Sequence, residues 1–417
     1  MLASVFVASL TFQQIEVGAI SQAELAHAAS TDWWPMFHHD LTHTGYSTST
    51  APKTNQTLWK FATGGSVYSS PAAADGMVYV GSNDGNIYAL NAATGVEVWN
   101  YTTGNYVEQS SPAVTNGVVY VGSGQGSCVY ALNATTGAKI WNYTAGSWVD
   151  SSPAVANGVV YVGSEDRNIY ALNATTGAKI WNFTTNLEVE SSPAIANGVV
   201  YVCSVDSGGC VYALNATTGA KVWSYTMLNG AYSSPAVTNS VVYVGGWGDG
   251  VYALNATTGA KIWNYNATYW VYSSPAIANG MVYVGSDDCI VYALNATTGV
   301  EVWNYTTRET SMWDYVESSP AVANGVVYVG SDDNNVFALN ATIGTKVWEY
   351  TTGGRVISSP AVVNGVVYVG SEDNNIYAFG ESVSVPEFPS YLAMPLFMGA
   401  MLAAALVLKR KRSVTAN

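Results

Sequence analysis

The sequence predicts an all-β fold: an eight-bladed β-propeller of four-stranded antiparallel blades, closed by an N-terminal strand and followed by one C-terminal transmembrane helix. Three observations carry this reading. Ser-Ser-Pro recurs eight times, with its proline at Pro71, Pro112, Pro153, Pro193, Pro235, Pro275, Pro320 and Pro360, a spacing of 40–45 residues. The stretches between are short, β-branched and aromatic, broken by Gly, Asn and Thr. The chain ends in an apolar run followed by four consecutive bases.

A period of 40–45 residues made of strand-like pieces marks propeller blades. One unit runs Ser151–Gly158, Val159–Ser164, Asn168–Gly177 and Ala178–Thr184, which predicts strands A to D. Strand B carries a tyrosine in every copy, from Tyr79 to Tyr368, and strand C carries one in all but the seventh, where Phe337 stands. Strand D carries Trp99, Trp141, Trp181, Trp223, Trp263, Trp303 and Trp348. The eighth such tryptophan, Trp59, precedes the first Ser-Ser-Pro, while the last copy stops after strand C. Leu58–Phe61 therefore completes the last blade, and ring closure removes the open ends. Proline in strand A suits the inner edge, read as unpaired. Lys139, Lys179, Lys221, Lys261 and Lys346 on strand D guard the outer edge.

Composition sets limits on function. Only 10% of the 417 residues are charged, against roughly 25% in a typical domain. The net charge of −14 argues against nucleic acid as a partner. It divides into −18 over residues 1–408 and +4 from Lys409, Arg410, Lys411 and Arg412. The uncharged run Tyr391–Leu408 spans about 27 Å as a helix, close to the bilayer core. Bases beside a span stay cytoplasmic, which puts the rest of the chain outside. The expected order is a secretory leader (1–31, with Ala26-His27-Ala28 as cleavage site), an entry segment (32–57), the propeller (58–380), a linker (381–390), the span (391–408) and a basic tail (409–417).

Two resemblances add to this. Val160–Trp181 and its near copies resemble PQQ-type repeats, whose hallmark is VYVGS-x-D-x-x-x-YALN-x-x-TG-x-x-x-W. Trp34-Pro35-Met36-Phe37, with Asp40 and Gly45, resembles the entry segment of that group. The resemblance implies one of two arms. Quinoprotein dehydrogenases bind pyrroloquinoline quinone and calcium, and use an adjacent Cys-Cys pair, an Asp, and Glu and Asn ligands; non-catalytic propellers include the BamB type. No Cys-Cys occurs here and the copies are nearly uniform, so the expectation is a non-catalytic binding or scaffold module with no cofactor, the alternatives being a quinoprotein-like dehydrogenase and a purely structural surface protein. Val385–Pro389 with the apolar run and basic tail resembles the PEF-type sorting signals of archaeal surface proteins. It implies processing by an archaeosortase-like protease.

Strand alternation sends the D–A and B–C loops to one face. The B–C loops carry Asp84, Glu165, Asp166, Asp206, Asp249, Asp287, Asp288, Asp332, Asp333, Glu372 and Asp373. The D–A loops add Glu108, Asp150, Glu190 and Glu317, with aromatics outside the repeat pattern at Tyr106, Trp148, Trp270, Trp313 and Tyr315, and Trp247 stands in a B–C loop. The opposite face has nearly uncharged turns. Tyr106, Glu108, Trp148, Asp150, Glu190, Trp247, Trp270, Trp313, Tyr315 and Glu317 thus form the candidate face for a protein or carbohydrate partner at the cell surface. Ser331–Asn335 and Ser371–Asn375 offer oxygens to calcium but lack the spaced D-x-D-x-D-G pattern. His38, His39, Asp40 and His43 are donor types that ligate zinc, although the entry-segment resemblance implies a structural cap.

Sequons stand at Asn55, Asn100, Asn133, Asn142, Asn173, Asn182, Asn215, Asn255, Asn266, Asn295, Asn304 and Asn340, and are glycan acceptors in an exported chain. Cys203 and Cys210 end strand B and begin strand C of one blade, which makes them the candidate disulfide; Cys128 and Cys289 fall in non-adjacent blades.

Overall fold

A computed structural model describes residues 31–205, 209–248, 250–307 and 314–381. The expected leader up to Ser30, the sorting linker from Ser382, the span, the tail, Asp206, Asp249, Arg308 and Trp313 lie outside the described residues. No helix among the described residues is long and apolar enough to cross a membrane.

Eight four-stranded antiparallel sheets form, one for each Ser-Ser-Pro copy. In blade 1, strand A is Ala72–Ala74, B is Met77–Gly81, C is Asn86–Asn91 and D is Glu97–Thr102. Blade 8 takes its strands A to C from Ala361–Val363, Val366–Ser371 and Asn375–Gly380, and its strand D from Thr57–Ala62. The closing strand runs antiparallel to Asn375–Gly380, with Trp59 opposite Ala378 and Phe61 opposite Ile376. It carries a bulge after Thr57 at the place where other blades have theirs, so it is a genuine strand D. Strands B and C are buried along nearly their whole length, because each blade is covered on both faces by its neighbours. Strand D alternates, with its tryptophan inward and its lysine exposed.

The repeated tyrosine and tryptophan are the stitches between blades. Tyr120 Oη and Trp141 Nε1 of blade 2 both donate to Ala174 O in the C–D turn of blade 3, at 3.1 and 2.9 Å. The same pair of bonds joins Tyr368 and Trp59 to Ala92 O, which seals blade 8 against blade 1. Blade 8 has no C–D turn, since its strand D comes from the far end of the chain. Pro52 O takes the turn's place and accepts from Tyr328 and Trp348. The glycine of each turn lies against the preceding blade's tryptophan, as Gly177 does on Trp141, where an added Cβ would fall 2.7 Å from the ring.

The inner edge of the propeller departs from the sequence reading, which left it unpaired. The entry segment threads the central channel and pairs with it. Its carbonyls at Trp34, Pro35, Leu41, Thr42, Thr44 and Gly45 accept from Ala73, Val114, Ile195, Val237, Ile277 and Val322 N–H, at 2.6–2.8 Å. Tyr46–Ser47 adds as a parallel fifth strand to blade 7. A buried strand edge left bare would carry unpaired N–H groups, and the segment supplies their acceptors. His38 and His43 belong to this plug. Both are buried, His38 Nδ1 lies 3.3 Å from His43 O, and His43 Nδ1 lies 3.1 Å from Pro235 O. Burial pushes their imidazoles down to about 3 and about 4. His39 instead turns to Asp32 at 3.0 Å, and no three His, Cys, Asp or Glu side chains among the described residues are grouped to hold a metal. His38 and His43 thus sit within the segment that pairs with the inner strands.

Candidate binding face

The Ser-Ser-Pro motif builds the centre of the face. The first serine of each copy accepts from a strand B backbone N–H, as Ser151 Oγ does from Gly163 at 3.0 Å. The second serine closes a circle. Ser70 N–H donates to Ser111 Oγ, Ser111 to Ser152, and so on through Ser192, Ser234, Ser274, Ser319 and Ser359 back to Ser70, at 2.8–3.0 Å throughout. These backbone N–H groups are buried and paired, so the circle is a rigid frame for the centre of the face.

The residue before each Ser-Ser-Pro points into a cup of about 290 Å³ on the propeller axis. Around it stand Tyr68, Gln109, Asp150, Glu190, Tyr232, Tyr272, Glu317 and Ile357, with Phe37 of the plug also lining the cup. Phe37 stacks on the His38 ring at 4.8 Å and meets His43 edge-on at 5.4 Å. The eight serines are copied without change, while the positions just before them are varied: two tyrosines side by side, three acids, an amide and an aliphatic among them.

Two further rings lie outside the cup, and the backbone joins them in pairs. In every blade a B–C loop N–H donates to a D–A loop carbonyl at 2.7–3.1 Å: Asn83 to Ser66, Gly124 to Tyr106, Glu165 to Trp148, Val205 to Glu188, Trp247 to Gly230, Asp287 to Trp270, Asp332 to Tyr315 and Glu372 to Arg355. Two variable positions are thus held side by side eight times. The sequence reading placed both loops on one face, and these bonds bear that out.

The acids of the face divide into two kinds, which the sequence reading treated as one. Asp84, Asp166, Asp288 and Asp373 accept from the strand C tyrosines Tyr88, Tyr170, Tyr292 and Tyr377 at 2.5–2.7 Å. Three of them also take a glycine N–H from the D–A loop, Gly64, Gly146 and Gly353. Asp333, beside Phe337, keeps the turn bonds: its carboxylate accepts from Asn335 N–H and its own N–H donates to Ser331 Oγ. These carboxylates lock turns. The second kind faces the cup and its rim. Asp150 is 7% exposed and its Oδ1 has no hydrogen-bond partner. Burial, then Glu108 and Glu165, push its carboxyl up to about 7. Glu190 is pushed to about 7 by burial, then Asp150, Glu165 and Glu188. Asp287 is 4% exposed with neither oxygen bonded, and burial with Glu317, Asp332 and Asp288 raises it to about 8. Arg355 binds Glu372 at 2.6 Å and Asp332 at 3.1 Å, so its charge is spent on the rim of blades 7 and 8.

The aromatics also sort. Tyr232, Trp247, Trp270 and Tyr272 form one cluster, with centroids 4.9 Å apart for Tyr232–Tyr272, 5.2 Å for Trp247–Trp270, 5.8 Å for Trp270–Tyr272 and 6.1 Å for Tyr232–Trp247. Trp270 remains 40% exposed. Trp148, half-buried, and Tyr106, 45% exposed, stand apart on blades 3 and 2. Tyr232 and Tyr272 were missed in the sequence. They fall in a position that differs among copies, and aligning the eight copies there would have exposed them.

Cys203 and Cys210 form no disulfide. Cys203 pairs across the hairpin with Val211, so it shares a sheet face with Val211 and the adjacent Cys210 points to the other. Cys203 replaces the glycine of VYVG. Elsewhere a Cβ on that glycine would strike the next blade's valine at 2.2–2.6 Å, as at Gly81 with Val107 and Gly163 with Val189. Blade 5 has Ala231 in place of that valine, and Cys203 and Ala231 are both fully buried in one core cluster. Sequons on strand D (Asn100, Asn142, Asn182, Asn304) are exposed. Those in C–D turns commit their Oδ1 to the turn, as Asn133 does to Thr135 and Thr136 N–H.

Residues 76–312, more than half of the chain, match the family model described as "Beta-alanine-activating enzyme, beta-propeller". The chain belongs to this β-propeller family. Residues 310–382 of the propeller also match the model of outer membrane protein assembly factor BamB. No curated protein matches the chain significantly. Among solved structures, BamB from Moraxella catarrhalis is 20% identical with a TM-score of 0.67, over 79% of this chain and 98% of its own. The quinohemoprotein alcohol dehydrogenase from Comamonas testosteroni is 16% identical with a TM-score of 0.72, over 84% and 80%. The computationally designed Ika8 protein is 16% identical with a TM-score of 0.69, over 78% and 100%. These likenesses are of fold, and the same fold serves an assembly factor and an oxidoreductase.

Proposed function

We propose that the protein is a non-catalytic, surface-displayed propeller that binds a protein or carbohydrate partner through the face carrying Trp148, Trp270 and the acidic cup. The observation that carries this is the placing of variation. The blades repeat closely in their frame, and the positions that vary most are gathered, pairwise hydrogen-bonded, on one face. A basic protein patch suits its carboxylates, and exposed Trp270 with half-buried Trp148 suits stacking. The BamB likeness supports a binding role, and the apolar run 391–408 with its basic tail supports anchorage outside the cell, glycosylated at the exposed sequons.

Pyrroloquinoline quinone, the group a dehydrogenase reading needs, is a polycarboxylate. The cup presents Asp150, Glu190 and Glu317 to it, and Arg355 is already tied to two acids. These residues do not fit an anionic cofactor. The test is capture from the native cell surface, and binding on a glycan array, by wild type and by W148A/W270A. At least tenfold weaker capture by the variant is expected; equal capture refutes the assignment of the face.

A further inference from the structure

The cup carries a pattern more specific than acidity. Around five consecutive blades it reads acid, acid, aromatic, aromatic, acid: Asp150, Glu190, Tyr232, Tyr272, Glu317. Asp150 and Glu317 stand on blades 3 and 7, opposite each other in a ring of eight. Between them the two tyrosine rings lie 4.9 Å apart, backed by Trp247 and Trp270. Asp150 is 7% exposed, lines the cavity, and has one carboxylate oxygen without a partner. Among the described residues no base forms an ion pair with Asp150 or Glu190.

Carboxylates alone suit a metal ion, but a metal needs several oxygens converging on one point. The described residues group no such set. Carboxylates beside aromatic faces suit an organic ammonium, whose charge is drawn to both. Two acidic stations separated by aromatic rings suit a molecule with an ammonium at each end and an aliphatic chain between. Neutral sugars would bring hydroxyl donors to the carboxylates but no positive charge to offset theirs.

We propose that the cup binds a linear aliphatic di- or polyamine, with one ammonium between Asp150 and Glu190, the methylene chain over Tyr232 and Tyr272, and the second ammonium at Glu317. This deepens the binding-face reading and rests on it, but needs no macromolecular partner. The same chemistry on a lysine-rich peptide is a second source, which the test separates. Asp150 is faced by Glu108 and Glu165, Glu190 by Asp150, Glu165 and Glu188, and Glu317 by Arg355 and Glu372, so binding strengthens from pH 6 to pH 8 as Asp150 and Glu190 ionise.

The experiment titrates the full chain in detergent with spermidine, putrescine, butylamine, a lysine-rich peptide and calcium at constant ionic strength, by calorimetry and tryptophan fluorescence. Saturable one-to-one spermidine binding is expected, at least tenfold tighter than butylamine and not displaced by calcium. D150N/E190Q should lose tenfold or more, and E317Q should bring spermidine down to the butylamine level. Y272F should be silent and Y272L weaker. No saturable spermidine binding, equal affinity for butylamine, full competition by calcium, or wild-type binding by D150N/E190Q would each overturn the proposal. Preference for the peptide over both free amines overturns the small-molecule assignment. W148A separates the two readings: it should weaken partner capture and leave spermidine binding intact.

Discussion

Asp150→Asn isolates the cost of the acidic cup. In the fold this carboxyl is 7% exposed, and burial and then Glu108 and Glu165 raise it from 3.8 to about 7. The sign follows from proton binding. Between about pH 4 and pH 7 the folded form holds a proton that the unfolded chain has released. Stability therefore falls as pH rises through that window, and is lowest above it. At ~1.4 kcal/mol per pKa unit, the ceiling on the loss is about 4 kcal/mol. Asparagine keeps the shape and removes the charge. For a propeller of about 320 residues, an unfolding entropy of ~2.1 cal/mol/K per residue converts 1 kcal/mol into roughly 1.5 °C. The variant should therefore melt about 2–5 °C above wild type at pH 8, and only about a third as far above it, ~1–2 °C, at pH 5. Differential scanning calorimetry at the two pH values decides. A variant no more stable than wild type at pH 8, or raised equally at both, refutes the claim that ionised Asp150 destabilises the fold.

Three further outcomes follow from the frame. Ala231→Val should destabilise by about 1–3 kcal/mol through overpacking against Cys203, and adding Cys203→Gly should recover most of that loss; additive effects in denaturant melts would show that the two do not share space. Thiol titration of the unfolded, unreduced protein should count all four cysteines, and a count of two would restore the Cys203–Cys210 bridge. Ser111→Ala removes the acceptor of Ser70 N–H inside the serine circle and should cost about 1–3 kcal/mol in urea unfolding; a neutral result would mean that the circle is not under load.

The fold was legible because repetition amplifies weak signals. A single YVGS or NATTG says little, but eight in register at 40–45 residues leave few folds open. The displaced Trp59 even showed which strand closes the ring. The face was legible in part. Loop alternation put acids and aromatics together, and the eight B–C to D–A bonds agree. The sorting of Asp84, Asp166, Asp288 and Asp373 from Asp150, Asp287 and Glu190 was not legible, since both kinds are simply loop acids until their partners are known.

The sequence by itself determined the blade count, the strand order and the closing strand, because these depend on local pattern and period. Tertiary structure alone decided the rest. It set which carboxylates are paired and which are stranded, that Cys203 fills the space left by Ala231, and that the entry segment plugs the channel. The physical reason is that a hydrogen-bond partner or a filled void is a relation between residues tens or hundreds of positions apart. No one copy of the repeat contains it.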